Sequence, residues 1–382
     1  MNISTFLNRV KSAFPLGPGW IVMMADFDAA SIITAAQTGI SFGTGLIWFF
    51  LLLTIPLFFI QYVSGRVGQA TGNGLGHLIS RNFSPLAGYA ASVPMFVSDI
   101  LTYTAEYFGL AIGFTLLRVP LFVGMPMAYA LHIAIVYTGK YRSTEKMLLG
   151  ISTILVVSFI AAGLFGSSRP VFEMSVSISR GFLFMIAANA GAVVMPFMLF
   201  FQASATGIKG GTVRGVGYDT LIGAVFSEIL MIVVEIEFSG ALGNTKVFSL
   251  TGPFLHSFLS GAFGMLFGMG IIAASFLALV VVSLGSTWGV SEVMGLTRRN
   301  QLLLYSMESL PGVITPFLIP DLIGLILDLM VVFVFVLLLP GITMGIIAGK
   351  ERIMGSSRLR RWEKIGYWVS LACVLVLGMV SL

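Results

Sequence analysis

The chain has 382 residues, of which 57% are hydrophobic and only 10% charged, with a mean hydropathy of +0.99. That composition excludes a soluble globular protein of this size and describes an all-α polytopic membrane protein whose first partner is the lipid bilayer. The net charge of +5 does not indicate a nucleic-acid partner, because the basic residues sit in short loops between apolar runs and form no basic domain.

The first apolar run, 19–40, follows Gly17-Pro18-Gly19 and carries Asp26 and Asp28 in its middle. A charge at mid-membrane depth costs at least ~2.5 kcal/mol on insertion scales, so two acids there imply an ion or proton site with partners elsewhere in the chain. Arg9 and Lys11 lead into this full-length, charge-bearing run rather than a short apolar core with a cleavage site, so it is expected to stay in the mature protein. Spanning runs follow at 45–64, 91–117, 121–138 and 147–166, then at 181–206, 220–241, 260–290, 302–319 and 322–348, and last at 365–382. They group as five, five and one, for about 11 transmembrane helices.

With a cytoplasmic amino terminus, the inside loops collect all of the 21 Lys and Arg except Arg118, Arg169, Arg180 and Lys246. Such a positive-inside bias supports both the helix count and the orientation, since one missed helix would invert every later loop. Because five is odd, two successive five-helix units enter the membrane in opposite senses, as an inverted-repeat transporter requires. The expected division is 1–170 for the first repeat, 171–350 for the second and 351–382 for an extra C-terminal helix.

Segments 1 and 6 are then symmetry mates, and segment 6 places Gly191 and Pro196 at the depth where segment 1 carries its acids. Pro196 removes a helical amide and frees the carbonyl of Ala192, four residues earlier. A break at that depth is tolerated where it lines a cavity or binds a cation. The alternative is a proline kink that only shapes packing.

Other polar residues carry less. Glu235, Glu237 and Glu292 read as acids near an interface, whereas Asp99 and Glu228 suit an aqueous vestibule that attracts cations. His132 lacks a second ligand at metal spacing and reads as a packed, hydrogen-bonded histidine. The single Cys373 excludes a disulfide framework and a Cys-based metal cluster. No hydrolase triad or zinc motif is present, so an enzyme is not expected.

Several stretches resemble the NRAMP divalent-metal transporters, which have a LeuT-type fold. That family's first helix carries Gly-Pro-Gly and then Asp-Pro-Gly-Asn, and its sixth carries Met-Pro-His. Here these read Gly17-Pro18-Gly19, Asp28-Ala29-Ala30-Ser31 and Met195-Pro196-Phe197. Gln61 to Gly72, Ala105-Glu106 with Gly109, and Arg352 to Gly355 are similar to further family segments in the right order. The resemblance implies a LeuT-type 5+5 inverted repeat with broken helices 1 and 6. It also implies a metal site made of the Asp28 carboxylate, the Ala25 and Ala192 carbonyls, the Met195 thioether, and Ser31 where the family has Asn. A soft thioether beside oxygen donors selects transition metals over Ca²⁺ and Mg²⁺.

The departures are as informative as the matches. Ala29 and Ala30, both good helix formers, replace the Pro and Gly that help unwind the family's first helix, so a shorter break is expected. Asp26 is an addition, and two residues along a regular helix it would point away from Asp28; only unwound backbone would bring both to one ion. Of the family's proton route, the His after Met-Pro is Phe197, a second His is Gln202 and the third-helix Asp is Tyr103, leaving Glu106 and the added Asp26 as remaining acids.

The resemblance therefore implies a secondary transporter moving Mn²⁺ or Fe²⁺ by alternating access in a bacterial inner membrane, without the family's usual proton route. Mg²⁺ transport without proton coupling, a LeuT-fold carrier of a small organic solute and a non-transporting sensor are the alternatives. No cofactor is expected beyond the transported ion, and the chain is expected to act as a monomer or weak oligomer.

Overall fold

The computed structural model describes residues 16–137, 141–165, 178–244 and 247–381. Arg9, Lys11, Lys140, Arg169 and Lys246, and the expected boundary between residues 170 and 171, lie outside the described residues. Among the described residues every regular element is helical.

Segment 1 forms two helices, α1 (Pro18–Asp26) and α2 (Ala29–Phe42), bent by 47° at Phe27 and Asp28. Pro18 starts α1, where a missing N–H costs nothing. The interruption forms despite two alanines because Asp28 takes extended backbone and caps α2 with its own side chain. α3 (Ile47–Thr71) ends at Gly72, whose φ of 65° is the left-handed stop glycine allows. The short α4 (Leu75–Asn82) was not legible from apolar run length and leads into α5 (Pro85–Leu116), α6 (Leu121–Tyr137) and α7 (Tyr141–Phe165).

Segment 6 is likewise two helices, α8 (Arg180–Val193) and α9 (Pro196–Lys209), separated by Val194 and Met195. Pro196 is not an internal kink; it opens a new helix. There follow α10 (Val213–Ser239), α11 (Pro253–Phe258), α12 (Gly261–Met294) and α13 (Arg298–Leu318). Segment 10 divides at Leu337 into α14 (Ile323–Val336) and α15 (Leu338–Gly349), just before Pro340, whose ring opposes a continuous helix at residue 336. α16 (Glu351–Met354), a 3-10 turn at Gly355–Ser357 and α17 (Arg361–Met379) complete the fold.

Six spans, formed by α3, α7, α8 with α9, α12, α14 with α15, and α17, are long and apolar enough to cross a membrane, and the bent pair α1 and α2 makes a seventh. α5, α10 and α13 fall outside that set and carry buried acids: Asp99 and Glu106, Asp219, Glu228 and Glu235, and Glu308. The two broken spans occupy the middle: α10 packs on α1, α2 and α3, α9 on α3 and α12, and α8 on α2 and α14. Large exposed hydrophobics such as Leu51, Phe122, Val157 and Val369 mark outward faces. Glu235, read as an acid near an interface, is fully buried in the protein four residues from the end of α10 and accepts from the N–H of Leu46, the N-cap of α3, at 2.9 Å. Glu292 also has a fixed role, accepting from Ser204 Oγ at 2.7 Å and the His77 N–H at 3.3 Å.

Two clamps hold the ends of this assembly. The buried carboxylate of Asp219 on α10 accepts from the backbone N–H groups of Gly17 at 2.9 Å, Gly19 at 2.8 Å and Trp20 at 3.0 Å. It thereby satisfies the free amides at the start of α1. On α3, Arg66 donates to Glu363 at 2.6 Å, Tyr62 at 2.7 Å, and the carbonyls of Ser357 at 2.7 Å and Arg358 at 2.8 Å, tying α17 to α3.

Replacing Asp219 by Ala leaves three buried amides without an acceptor. It is expected to lower stability by about 2 kcal/mol, read as a fall in the thermal unfolding midpoint in detergent. Arg66→Lys keeps the charge but loses the fork that serves four acceptors, and should cost about 3 kcal/mol by the same measurement.

Candidate metal centre at the facing helix breaks

At the break in segment 1, Asp28 Oδ1 accepts from the Ser31 N–H at 2.8 Å, the bond that starts α2. Its other oxygen, Oδ2, has no donor and is fully buried. Glu106 reaches the same helix end from α5: its Oε2 accepts from the Ala29 N–H at 3.2 Å, and its carboxyl lies within hydrogen-bonding reach of Asp28. Two carboxyls thus meet at the positive pole of α2. Gly109, one turn further along α5, makes the approach possible, since a Cβ there would collide with Ala29.

The second break faces the first. Ser31 Oγ donates to the Ala192 carbonyl at 3.3 Å, and Asn189 Nδ2 donates to Thr38 Oγ1 at 2.8 Å, joining α2 to α8 at two levels. Ala192 lacks its intrahelical partner because residue 196 is proline. Ala25 lies in the last turn of α1, where helix geometry leaves carbonyls unpaired. Met195 is buried at the N-cap of α9, with its N–H directed at Met198 Sδ, 3.4 Å away.

The structure therefore joins Asp28, Ser31 and Ala192 directly, with Ala25 and Met195 on the same two interruptions. All five are 0% exposed, so the centre is closed toward both faces of the protein. Among the described residues no three His, Cys, Asp or Glu side chains converge. A cation here would take one or two carboxylates and complete its shell from hydroxyl, carbonyl and thioether atoms, a mixture suited to a borderline divalent metal.

The remaining candidates divide. Glu106 belongs to the centre. Tyr103 turns its hydroxyl to Ser283 Oγ at 2.9 Å, and Gln202 donates to Thr220 Oγ1 at 2.9 Å, so neither stands on Asp28. Asp26 accepts from Ser227 Oγ of α10 at 3.0 Å. The two aspartates bond toward different helices, yet they lie close enough for their charges to act on one another, and each keeps one oxygen without a donor. His132 is a packed, hydrogen-bonded residue, 3.0 Å from the Tyr107 hydroxyl and 2.7 Å from Ser283 Oγ. Asp99 and Glu228, either of which suited an aqueous vestibule, are both buried, at 0% and 1% exposure.

Three participants were not legible in the sequence. Glu308 on α13 accepts from Ser286 Oγ at 2.9 Å and lies near Asp99; an acid inside the run 302–319 was its available signal. Asp219 gave no local sign, since the amides it caps are about 200 residues away in sequence. Ser227, beside Asp26, reads as one more small residue in an apolar helix.

Known proteins place this geometry. The chain superposes on a manganese transporter of Eremococcus coleocola with a TM-score of 0.78, over 96% of this chain and 85% of that one at 15% identity. It superposes on MhsT in complex with L-phenylalanine with a TM-score of 0.67, over 95% of this chain and 98% of that one at 13% identity. The fold is LeuT-type. In sequence, the chain is 24% identical over 395 residues to the divalent metal cation transporter MntH of Klebsiella pneumoniae (strain 342), covering 97% of this chain and 94% of the relative. MntH of Pectobacterium carotovorum is 24% identical over 385 residues, covering 95% and 92%. The model of the natural resistance-associated macrophage protein-like family, Nramp, matches residues 19–382, and the chain belongs to that family.

Proposed function

We propose that this chain is a secondary transporter that moves divalent metal ions across a bacterial inner membrane by alternating access, with its amino terminus in the cytoplasm. The relatives named as divalent metal cation transporters support the substrate class. The observation that carries the reading is the pair of facing helix breaks, where Asp28 Oδ2 is buried without a donor and Ser31 Oγ meets the Ala192 carbonyl. In this reading the ion is held by Asp28, Ser31, the Ala25 and Ala192 carbonyls and Met195. The moving parts are the repeats 1–170 and 171–350, with 351–382 an added helix, and the chain works as a monomer or weak oligomer.

Mn²⁺ and Fe²⁺ fit best, because a thioether ligand favours softer cations over Mg²⁺ and Ca²⁺. Glu106 is the nearest acid able to take a proton as the metal binds or leaves. Tyr103 and Gln202 are bonded elsewhere, so the usual family route does not continue through them. That discontinuity favours a second reading, Mg²⁺ movement without proton coupling.

Calorimetry with Mn²⁺, Mg²⁺ and Ca²⁺ tests the site. Asp28→Ala is expected to weaken Mn²⁺ binding about 100-fold, the loss of a buried charged ligand; unchanged affinity would remove the assignment. Met195→Ala should narrow the preference for Mn²⁺ over Mg²⁺ by about tenfold while sparing Mg²⁺ uptake. Strong Mg²⁺ transport in the wild type, with a Mn²⁺ over Mg²⁺ preference that Met195→Ala does not change and with no proton flux in proteoliposomes, selects the second reading instead.

A further inference from the structure

Asp26 is bonded to α10, whereas Asp28 caps α2, although the two charges lie close enough to act on one another. Asp26 is the last residue of α1, and its Oδ2 accepts from Ser227 Oγ of α10 at 3.0 Å. Glu228, the next residue of α10, lies close enough for the two charges to act on one another. Asp26 is 3% exposed and Glu228 1% exposed. Among the described residues no donor reaches Asp26 Oδ1 or either oxygen of Glu228.

No base compensates this pair. The salt bridges among the described residues are Arg66 with Glu363, Lys209 with Glu145, and Arg358 with Glu351, none of which involves Asp26 or Glu228. The backbone adds to the negative potential, because α1 ends here and presents its free carbonyls and the negative pole of its dipole. Two buried carboxyls with three unserved oxygens must be neutralised, by protons when the site is empty or by a cation that displaces them.

We propose that Asp26, Ser227 and Glu228 form a second site for a hard divalent cation, on the α10 side of the break in segment 1. Two carboxylates match the charge of one such ion, and the Ser227 hydroxyl and terminal carbonyls of α1 supply further oxygens. With no sulfur or imidazole donor, the site suits Mg²⁺ or Mn²⁺ and does not discriminate as a thioether-bearing centre does.

The site differs from the Asp28 centre in its protein partners. Asp28 Oδ1 is committed to the Ser31 N–H of α2, and Ser31 leads to Ala192 on α8, whereas Asp26 is bonded to α10. A single ion bridging the free Asp28 Oδ2 and Asp26 Oδ1 is the competing arrangement, and it would be read as one Mn²⁺ per chain. Two ions at neighbouring positions leave the same hydrogen bonds in place, and close pairs of divalent metals are common where carboxylates neutralise them. The inference does not rest on the transport reading, since it follows from the α1–α10 contact alone.

The test is the stoichiometry of Mn²⁺ bound to the full chain in lipid nanodiscs, by calorimetry and by electron paramagnetic resonance of the bound ion. Wild type should hold two Mn²⁺ per chain, and Glu228→Gln, which preserves volume, should hold one. Ser227→Ala should keep two but weaken one about tenfold, and excess Mg²⁺ should displace the Glu228-dependent ion first. A single ion in wild type, or two equally tight ions in both variants, overturns the proposal. Loss of an ion in Glu228→Gln with none lost in Asp28→Asn supports this site and removes the Asp28 assignment instead.

Discussion

A helix that stops inside a membrane protein must hand its unpaired backbone groups to something other than water, and nearly every polar contact in this chain answers that demand. Asp28 and Glu106 take the first amides of α2, Ser31 takes the carbonyl that Pro196 frees at Ala192, and Asp219 takes the first amides of α1. The interruptions persist because these partners come from other helices. A break with no such partners would close into a continuous helix.

The same solution gathers acids in the interior without basic partners among the described residues. Carboxylates suit the start of a helix, and at the start of α2 two of them converge with no basic side chain among them. Where the chain needs a permanent ion pair it builds one, as with Arg66 and Glu363, and there the guanidinium meets fixed acceptors on every side. The difference separates a structural ion pair from two carboxyls that have no basic partner among the described residues.

Asp26 and Asp28 show how far a two-residue break can redirect chemistry. On a regular helix they would already diverge, and in the interrupted backbone they still do, one toward α10 and the other into α2. Tyr103 and Gln202, where the family carries ionisable groups, are held by Ser283 and Thr220. The polar interior has therefore been rebuilt around hydroxyls, with Glu106 the one candidate of that route that remains beside Asp28.

Local pattern alone determined the membrane class, the order of the spans and the residues at which two of them break, because apolar run length, loop charge, Pro196 and the buried acids at 26 and 28 are properties of short stretches. The resemblance of short motifs to the Nramp family, rather than pattern alone, marked Ser31 and Met195 beside Asp28. Tertiary structure decided which polar atoms meet: that Ser31 reaches Ala192 across 161 residues, that Asp219 caps α1, that Asp26 turns to Ser227, and that Asp99 and Glu228 are enclosed rather than open to water. These contacts join helices far apart in the chain, and an acid in an apolar run looks the same in sequence whichever helix packs against it.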